Sequence, residues 1–221
     1  MTSLRAVVRC IGLSGRISVT GDFFGYRTKV PGPLSLGTQM RLLRGKHIHL
    51  NLIRTAEFTL AQQKEIDAGL QTMRDIYATV NVGVGRIQRY VIPPGHEVID
   101  DSSEAEDLWN EFNGPNGAID VFLALVITGD SAGKSPVDGS CDKDSSDDSG
   151  CVIAVADNSD GLGTTLGQAI AHEVGHFLGL EHETGLPDNL MFTSVPNGGR
   201  LYGGQGGVMV LHCSINGGCQ T

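Results

Sequence analysis

One segment of eleven residues constrains this chain more than any other. It runs from His172 to His182 as His-Glu-Val-Gly-His-Phe-Leu-Gly-Leu-Glu-His, and Met191 follows nine residues later. Residues four apart lie on one face of an α-helix, so His172 and His176 can present ring nitrogens to the same ion. The segment therefore predicts a helix that carries a metal site.

The second glycine of this segment explains how a third histidine reaches the same ion. His182 lies only six residues after His176, and a continuing helix would carry it away. Gly179 can adopt a positive φ without steric cost, so the helix can end there and the chain can double back. Three neutral imidazoles leave a fourth tetrahedral position for water, as in catalytic zinc sites. We therefore expect one catalytic Zn²⁺ bound by His172, His176 and His182.

Glu173 follows the first histidine and lies beside the open side of the expected site. A carboxylate there can take a proton from a zinc-bound water, whose pKa the metal lowers towards neutrality. The flanking sequence supports the helix, because Thr165 with Gln168 fits a capping box and apolar residues form one stripe. The stripe consists of Leu166, Ile170, Val174, Phe177 and Leu178.

The segment from about Thr164 to Met191 resembles the active-site helix and Met-turn of the metzincin clan of zinc endopeptidases. The resemblance implies that the three histidines are the ligands and that Glu173 is the general base. It also implies that the Met191 side chain lies beneath the metal without binding it.

The resemblance leaves the subfamily open. Glu183, directly after the third histidine, is an astacin-like feature, but Thr193 stands where astacins and serralysins have a tyrosine. Tyr202 is the only tyrosine further downstream. The short turn at residues 188–191 favours pappalysin-like or small matrixin-like enzymes.

The elements predicted after Lys46 alternate as in an α/β domain. They are strands at 47–52, 86–92, 118–127 and 151–156, a long helix opened by the capping box Thr59/Gln62, a short acidic helix at 103–112, the zinc helix, and a candidate C-terminal helix at 203–211. By resemblance, this order implies an α/β (α+β) metzincin-like fold. That fold has a twisted mixed five-stranded sheet, two long helices, the zinc helix at the cleft and a small irregular C-terminal lobe.

We expect the chain to consist of an N-terminal segment and a catalytic domain. Residues 1–45 are a β-rich N-terminal segment or the remnant of a prosegment, and residues 46–221 are the catalytic domain, with an upper lobe at 46–182 and a lower lobe at 183–221. Cys10 is a candidate latency thiolate, but families with such a thiolate have Arg-Cys-Gly, whereas an isoleucine separates Cys10 from Gly12 here. A plain free cysteine is favoured.

The other cysteines predict two local disulfides. Cys141 and Cys151 bracket an acidic loop, and Cys213 and Cys219 bracket five residues near the C-terminus. Disulfides are typical of oxidising compartments, so we expect a secreted protein, although no signal peptide is visible at the N-terminus.

The substrate-binding edge is expected between the apolar strand and Cys151. By resemblance, metzincins bind an extended substrate antiparallel to an edge strand above the zinc. Residues 128–150 are left for that edge, and Gly133, Lys134 and Ser135 are its best candidates, with Pro136 ending the pairing. The opposing wall is expected at residues 192–201.

Two further metal hypotheses are weaker than the zinc site. The acidic loop at 138–148 suggests Ca²⁺, but its spacing does not match an EF-hand, so a solvated loop pinned by a disulfide is favoured. His47 and His49 share one face of a strand, so a second metal is conceivable there. Plain surface histidines are favoured.

The net charge and the apolar pattern of the sequence limit the kinds of molecule that this protein can bind. A net charge of −9 argues against nucleic acid, and no apolar run approaches the length of a membrane span. We therefore expect a monomer that acts on a protein or peptide substrate.

The alternatives to an endopeptidase are an inactive metal-stabilised binding protein of the same fold and a zinc hydrolase of non-peptide amides. Glu173 favours catalysis over the inactive alternative, because proteins that have lost turnover often lose this carboxylate.

Overall fold

The computed structural model describes residues 16–20, 37–41, 45–129, 131–144, 148–193 and 198–217, the first two ranges by backbone alone. In chain order, its elements are β1 (Arg16–Thr20), β2 (Gly37–Arg41), β3 (His47–Arg54), α1 (Leu60–Ala78), β4 (Gly83–Val91), β5 (Val98–Ile99), α2 (Ser102–Glu111), β6 (Ile119–Ala124), β7 (Val126–Ile127), β8 (Gly133–Lys134), β9 (Gly150–Ala154), α3 (Thr164–Phe177) and α4 (Gly203–Met209).

The main sheet contains the five strands predicted from the region after Lys46. They lie in the order β4-β3-β6-β9-β8, all parallel except β8, which pairs antiparallel with β9 at one edge. Beyond β4, the antiparallel strands β2 and β1 extend the sheet to seven strands. The mixed α/β fold is confirmed, and part of the first 45 residues joins its sheet. Strands β5 and β7 form a separate parallel pair.

The sheet separates two apolar layers. Helices α1 and α3 cover one face, and α2 covers the other with Trp109 and Leu108. Helices α1 and α3 approach each other closely at two glycines, since a Cβ on Gly167 would lie 2.5 Å from the carbonyl oxygen of Gly69. Such a close approach fixes α3, and with it the histidines, against the sheet.

The starts of the two long helices are built differently. Thr59 and Gln62 form the predicted capping box of α1. The capping box predicted at Thr165 is wrong, because α3 begins earlier, with Gly163 as its N-cap at φ 79°. The carboxylate of Asp160 takes the capping role instead, accepting hydrogen bonds from the backbone N–H groups of Leu162, Gly163 and Thr165.

Cys141 bonds Cys213, with a Cα–Cα distance of 6.2 Å. The predicted pairs Cys141–Cys151 and Cys213–Cys219 are therefore wrong. Cys151 lies in the central strand β9 and is buried in the core as a free thiol, whereas Cys141 lies in a loop at the surface. Sequence proximity does not bring these two side chains together. Cys10 and Cys219 lie outside the described residues.

The C-terminal part is short and largely irregular, with α4 at the position predicted for its helix. Among the described residues, no helix is both long and apolar enough to cross a membrane.

Candidate metal centre and cleft

Helix α3 and the turn after it bring the three predicted histidines together. His172 and His176 lie one turn apart on α3 and are buried, with 3% and 6% of their surface exposed. The helix ends at Phe177, and Gly179 has a φ of +88°. The reversal at this glycine returns the chain towards the helix and places His182 beside the other two rings, as predicted.

The three Nε2 atoms point at one centre. They lie 3.0 Å apart for His172 and His176, 3.3 Å for His172 and His182, and 3.2 Å for His176 and His182. A tetrahedral zinc ion with Zn–N bonds of about 2.0–2.1 Å needs ligand nitrogens separated by about 3.3–3.4 Å. The triangle therefore fits Zn²⁺ within a few tenths of an ångström.

Backbone carbonyls fix the tautomers of two ligands. His172 donates from Nδ1 to the Leu190 carbonyl and His176 donates from Nδ1 to the Leu180 carbonyl, each at 2.7 Å. Each Nε2 atom therefore carries a lone pair, as metal coordination requires. Burial, the largest cause, lowers the pKa of His172 to about 4 and lowers that of His176 as well. Neutral imidazole rings whose lone pairs converge on one point are suitable ligands for a metal cation.

Glu173 lines the same cleft and is buried against the edge of the sheet. A Cβ on Gly133 would lie 2.5 Å from Glu173 Cγ, so only a glycine allows β8 to pass this close. Burial raises the pKa of Glu173 to about 8. A dication at the histidines would oppose this shift, because an adjacent positive charge favours the ionised carboxylate.

Met191 packs directly against α3. A Cβ on Gly175 would lie 2.8 Å from the Met191 sulfur, and Met191 is fully buried. Its place in the turn is fixed by Asn189, whose Oδ1 accepts a hydrogen bond from the Met191 N–H at 2.8 Å.

A cleft of about 580 Å³ runs along the histidines. It is lined by Ser102, Ala105, Glu106, Trp109, Ser131–Pro136, Asp148, His172, Glu173, His176, His182 and Thr193. The predicted edge residues Gly133 and Lys134 form β8, and Ser135 and Pro136 follow it in the cleft wall. The edge strand that the metzincin resemblance predicts between residues 128 and 150 thus lies beside the metal centre.

Sequence reasoning missed Asn158, which holds this edge in place. Its Nδ2 donates to the carbonyls of Ala132 at 2.8 Å and Ala154 at 2.6 Å. The β8–β9 ladder has only two residue pairs, so the amide extends it at one end. An asparagine two residues after the end of the predicted strand at 151–156 carries no recognisable signal.

Tyr202 and Thr193 differ in their position relative to the cleft. Tyr202 donates a hydrogen bond to the carboxylate of Asp188 and is not part of the cleft lining, whereas Thr193 is. The predicted opposing wall at 192–201 is described only at its two ends, because residues 194–197 lie outside the described ranges.

The prediction that His47 and His49 are plain surface histidines is wrong. His47 is buried, and Nδ1 of His49 accepts the backbone N–H of Arg86 at 3.0 Å. Burial, then the charge of Arg86 and the neighbouring His47, lower the pKa of His49 to about 4. Among the described residues, they form no group of three potential metal ligands.

The acidic loop is pinned both covalently and by a buried ion pair. Beyond the Cys141–Cys213 bond, Lys143 lies 2.7 Å from the buried carboxylate of Asp120 in β6. The part of the loop that is described contains no group of three carboxylates close enough to share an ion.

Comparison with known proteins identifies the family. The model of the family described as Metallo-peptidase family M12B Reprolysin-like matches residues 38–183, more than half of the chain, including all three histidines. This match confirms the predicted resemblance to metzincin-type zinc metallopeptidases. It names a different family from the pappalysin-like or matrixin-like enzymes that the turn before Met191 favoured. No curated protein sequence matches the chain.

Solved structures with a similar fold include metalloproteinase-II from Bacteroides fragilis, with 16% identity, a TM-score of 0.49, and coverage of 77% of this chain and 54% of that one. Archaemetzincin from Methanopyrus kandleri has 16% identity and a TM-score of 0.49, with coverage of 74% and 93%. A chain in a structure of a chaperone-substrate complex has 14% identity and a TM-score of 0.50, with coverage of 80% and 36%.

This chain thus spans about half the length of the Bacteroides protein. At these identities the likeness concerns the fold alone, and the family assignment depends on the sequence match over residues 38–183. On that match, the chain belongs to the reprolysin-like metallopeptidases of family M12B.

Proposed function

We propose that this protein is a zinc-dependent endopeptidase. The observation that carries the proposal is the convergence of three imidazole Nε2 atoms beside a buried carboxylate, in a cleft that borders an edge strand. A closed structural zinc site would have a fourth protein ligand, and the described residues place no fourth His, Cys, Asp or Glu in this group.

The roles of the residues follow from their positions. Bound by the three histidines, Zn²⁺ supplies Lewis-acid polarisation of the scissile carbonyl and of water. Glu173 lines the same cleft, so its carboxylate can take the proton of the attacking water and return it to the leaving amine. Met191 packs against α3 through its contact at Gly175, the residue before His176.

The substrate lies extended along β8 in this proposal. Gly133 and Lys134 form β8, the edge strand on one side of the sheet, antiparallel to β9. An unpaired edge offers backbone N–H and C=O groups to an incoming strand. Because β8 is short, the pairing covers a few residues and leaves most recognition to side chains in the cleft.

We also propose that residues 46–221 are the catalytic unit and that residues 183–221 form its lower lobe. The Cys141–Cys213 bond supports an oxidising compartment and hence secretion. The protein is proposed to act as a monomer on protein or peptide substrates.

A paired measurement of zinc content and cleavage of an unstructured protein tests the function. The parent protein is expected to bind one equivalent of zinc and to cleave. Glu173→Gln should keep the zinc but lose turnover by at least about 100-fold, because general acid–base catalysis contributes about 10²–10⁴.

Glu111→Gln removes a carboxylate from α2 outside the cleft lining and serves as the matched control. Zinc-dependent cleavage that survives in Glu173→Gln within a few-fold would show that another group is the base. A zinc-loaded parent without any cleavage would favour a binding protein over an enzyme.

A further inference from the structure

Gln205 connects helix α4 to the turn beneath the metal centre. It is the only side chain of α4 with polar atoms, in the sequence Gly-Gly-Gln-Gly-Gly-Val-Met. Its Nε2 donates to Oδ1 of Asn189 at 3.1 Å, and its Oε1 accepts from Nδ2 of Asn189 at 3.0 Å. The two amides therefore form a closed, two-bond pair.

Both amide oxygens of this pair accept a second hydrogen bond. Oδ1 of Asn189 accepts the N–H of Met191 at 2.8 Å, and Oε1 of Gln205 accepts the N–H of Tyr202 at 3.0 Å. Asn189 is only 2% exposed. Each amide is thus tied to its own segment of backbone as well as to its partner, which fixes both side chains in one rotamer.

The turn held by this pair contains a hydrogen-bond partner of a zinc ligand. Leu190 lies between Asn189 and Met191, and its carbonyl accepts Nδ1–H of His172 at 2.7 Å. The N–H of Leu190 donates to the Arg200 carbonyl at 2.7 Å. The peptide groups on both sides of Leu190 are therefore held, and the direction of its carbonyl sets the orientation of the His172 ring.

We propose that Gln205 is a positioning residue for the metal centre, acting through Asn189 and the Leu190 carbonyl on His172. The inference rests on the proposed binding of zinc by the three histidines. Removing outer partners of metal ligands costs about 10–100-fold in affinity. Gln205 acts two steps further out, through Asn189 and the Leu190 carbonyl, so loss of its amide should weaken zinc binding by about tenfold, the low end of that range.

The test measures the zinc dissociation constant of the full chain by competition with a chromogenic chelator, beside thermal unfolding of the metal-free protein. Gln205→Leu is expected to bind zinc about tenfold more weakly, with a smaller zinc-induced rise in Tm. Gln71→Leu is the matched control, because Gln71 makes a side-chain hydrogen bond with Asp75 on the exposed side of α1, away from the metal centre. Its zinc affinity should equal that of the parent.

Gln205→Glu separates positioning from packing, because it keeps the side-chain volume and the oxygen that accepts from Asn189 and Tyr202 but replaces the donor Nε2 by a charged oxygen that faces Oδ1 of Asn189. Its zinc affinity should fall below that of the parent, although the variant fills the same space. If Gln205→Leu does not fold, Asn189→Asp removes the other donor of the pair and should weaken zinc binding in the same direction.

Zinc affinity within twofold of the parent in every folded variant of the pair, with only the metal-free Tm lowered, would show a purely structural contact and overturn the inference. A parent protein that binds no zinc would instead overturn the proposed function on which the inference rests.

Discussion

At the residue scale, two of the three histidines of the metal centre are fixed by backbone carbonyls. The His172 and His176 rings donate to the Leu190 and Leu180 carbonyls, so the rings are oriented before any ion binds. Such preorganisation reduces the cost of assembling a metal site, since less freedom is lost on binding. The ligands are therefore expected to act as a set, and the loss of any one should empty the site.

His176→Ala is the direct test of that set. It removes the Nε2 atom that lies 3.0 Å and 3.2 Å from those of His172 and His182. Two remaining imidazoles hold zinc far more weakly, so elemental analysis after dialysis should find most of the metal lost. Retention of one full equivalent would contradict the assignment. His96→Ala, a histidine outside the group, is the control and should retain its zinc.

At the scale of elements, the turn before α3 and the short strand β8 position the site. Glu65 of α1 accepts the N–H groups of Asp160 and Gly161, while the Asp160 carboxylate accepts three N–H groups at the start of α3. A carboxylate at this end also interacts favourably with the helix dipole. The zinc helix therefore begins at a turn that both helices help to hold.

Asp160→Ala should lower the free energy of unfolding at pH 7 by about 1 kcal/mol, as for the loss of other helix caps. Backbone hydrogen bonds, chiefly that from Thr165, lower the pKa of Asp160 from 3.8 to about 2. A pKa that is lower in the folded state gives stability that is present above about pH 4 and is lost as the pH falls towards 2.

Denaturant titrations of the parent and Asp160→Ala should therefore converge as the pH falls from 4 to 2. A difference in stability that stays constant across this range would contradict the role of the ionised carboxylate.

Asn158→Ala tests how β8 is held. The substitution removes the Nδ2 donor to the Ala132 and Ala154 carbonyls, so the edge strand should lose its fixed position. Loss of about 1 kcal/mol of hydrogen bonding corresponds to about a fivefold rise in KM for a long peptide. Zinc content should not change.

Asn110→Ala, an exposed change on α2, is the control for the edge strand. Equal KM values in Asn158→Ala and the parent would mean that the edge does not bind substrate or does not need this amide.

At the scale of the whole molecule, the Cys141–Cys213 bond joins two segments that are far apart in sequence. One is the loop before β9, which packs against the C-terminal end of α3, and the other is the segment after α4. The N–H groups of Asp138 and Gly139 donate to the carbonyls of His176 and Phe177, and Cys141 follows two residues later. The bond to Cys213 closes a sequence separation of 72 residues. It therefore ties the C-terminal lobe to the end of the zinc helix.

The double variant Cys141→Ser/Cys213→Ser should lose about 2–4 kcal/mol of stability, because a cross-link over a long loop mainly restricts the unfolded chain. Non-reducing peptide mapping of the parent should find these two cysteines in one cross-linked peptide pair and Cys151 alkylated only after unfolding. A Cys141–Cys151 peptide would contradict the structure.

The zinc site and the main elements of the domain could be predicted from the sequence because their signals are local. Ligand spacing on a helix depends on 3.6 residues per turn, the reversal depends on a glycine, and strands and helices follow their apolar periodicity. The three histidines, the helix end at Gly179 and the capping box at Thr59 therefore occur in the structure as predicted.

Only the tertiary structure decided the contacts between residues far apart in sequence. Cys141 meets Cys213 rather than Cys151, Gln205 meets Asn189, and Asn158 meets the start of β8, because sheet order and helix packing bring these segments together. Local propensity carries no information on such pairs. The sequence by itself determined which atoms could bind a zinc ion, and the packing of α3 against α1 and the sheet decided what holds those atoms in place.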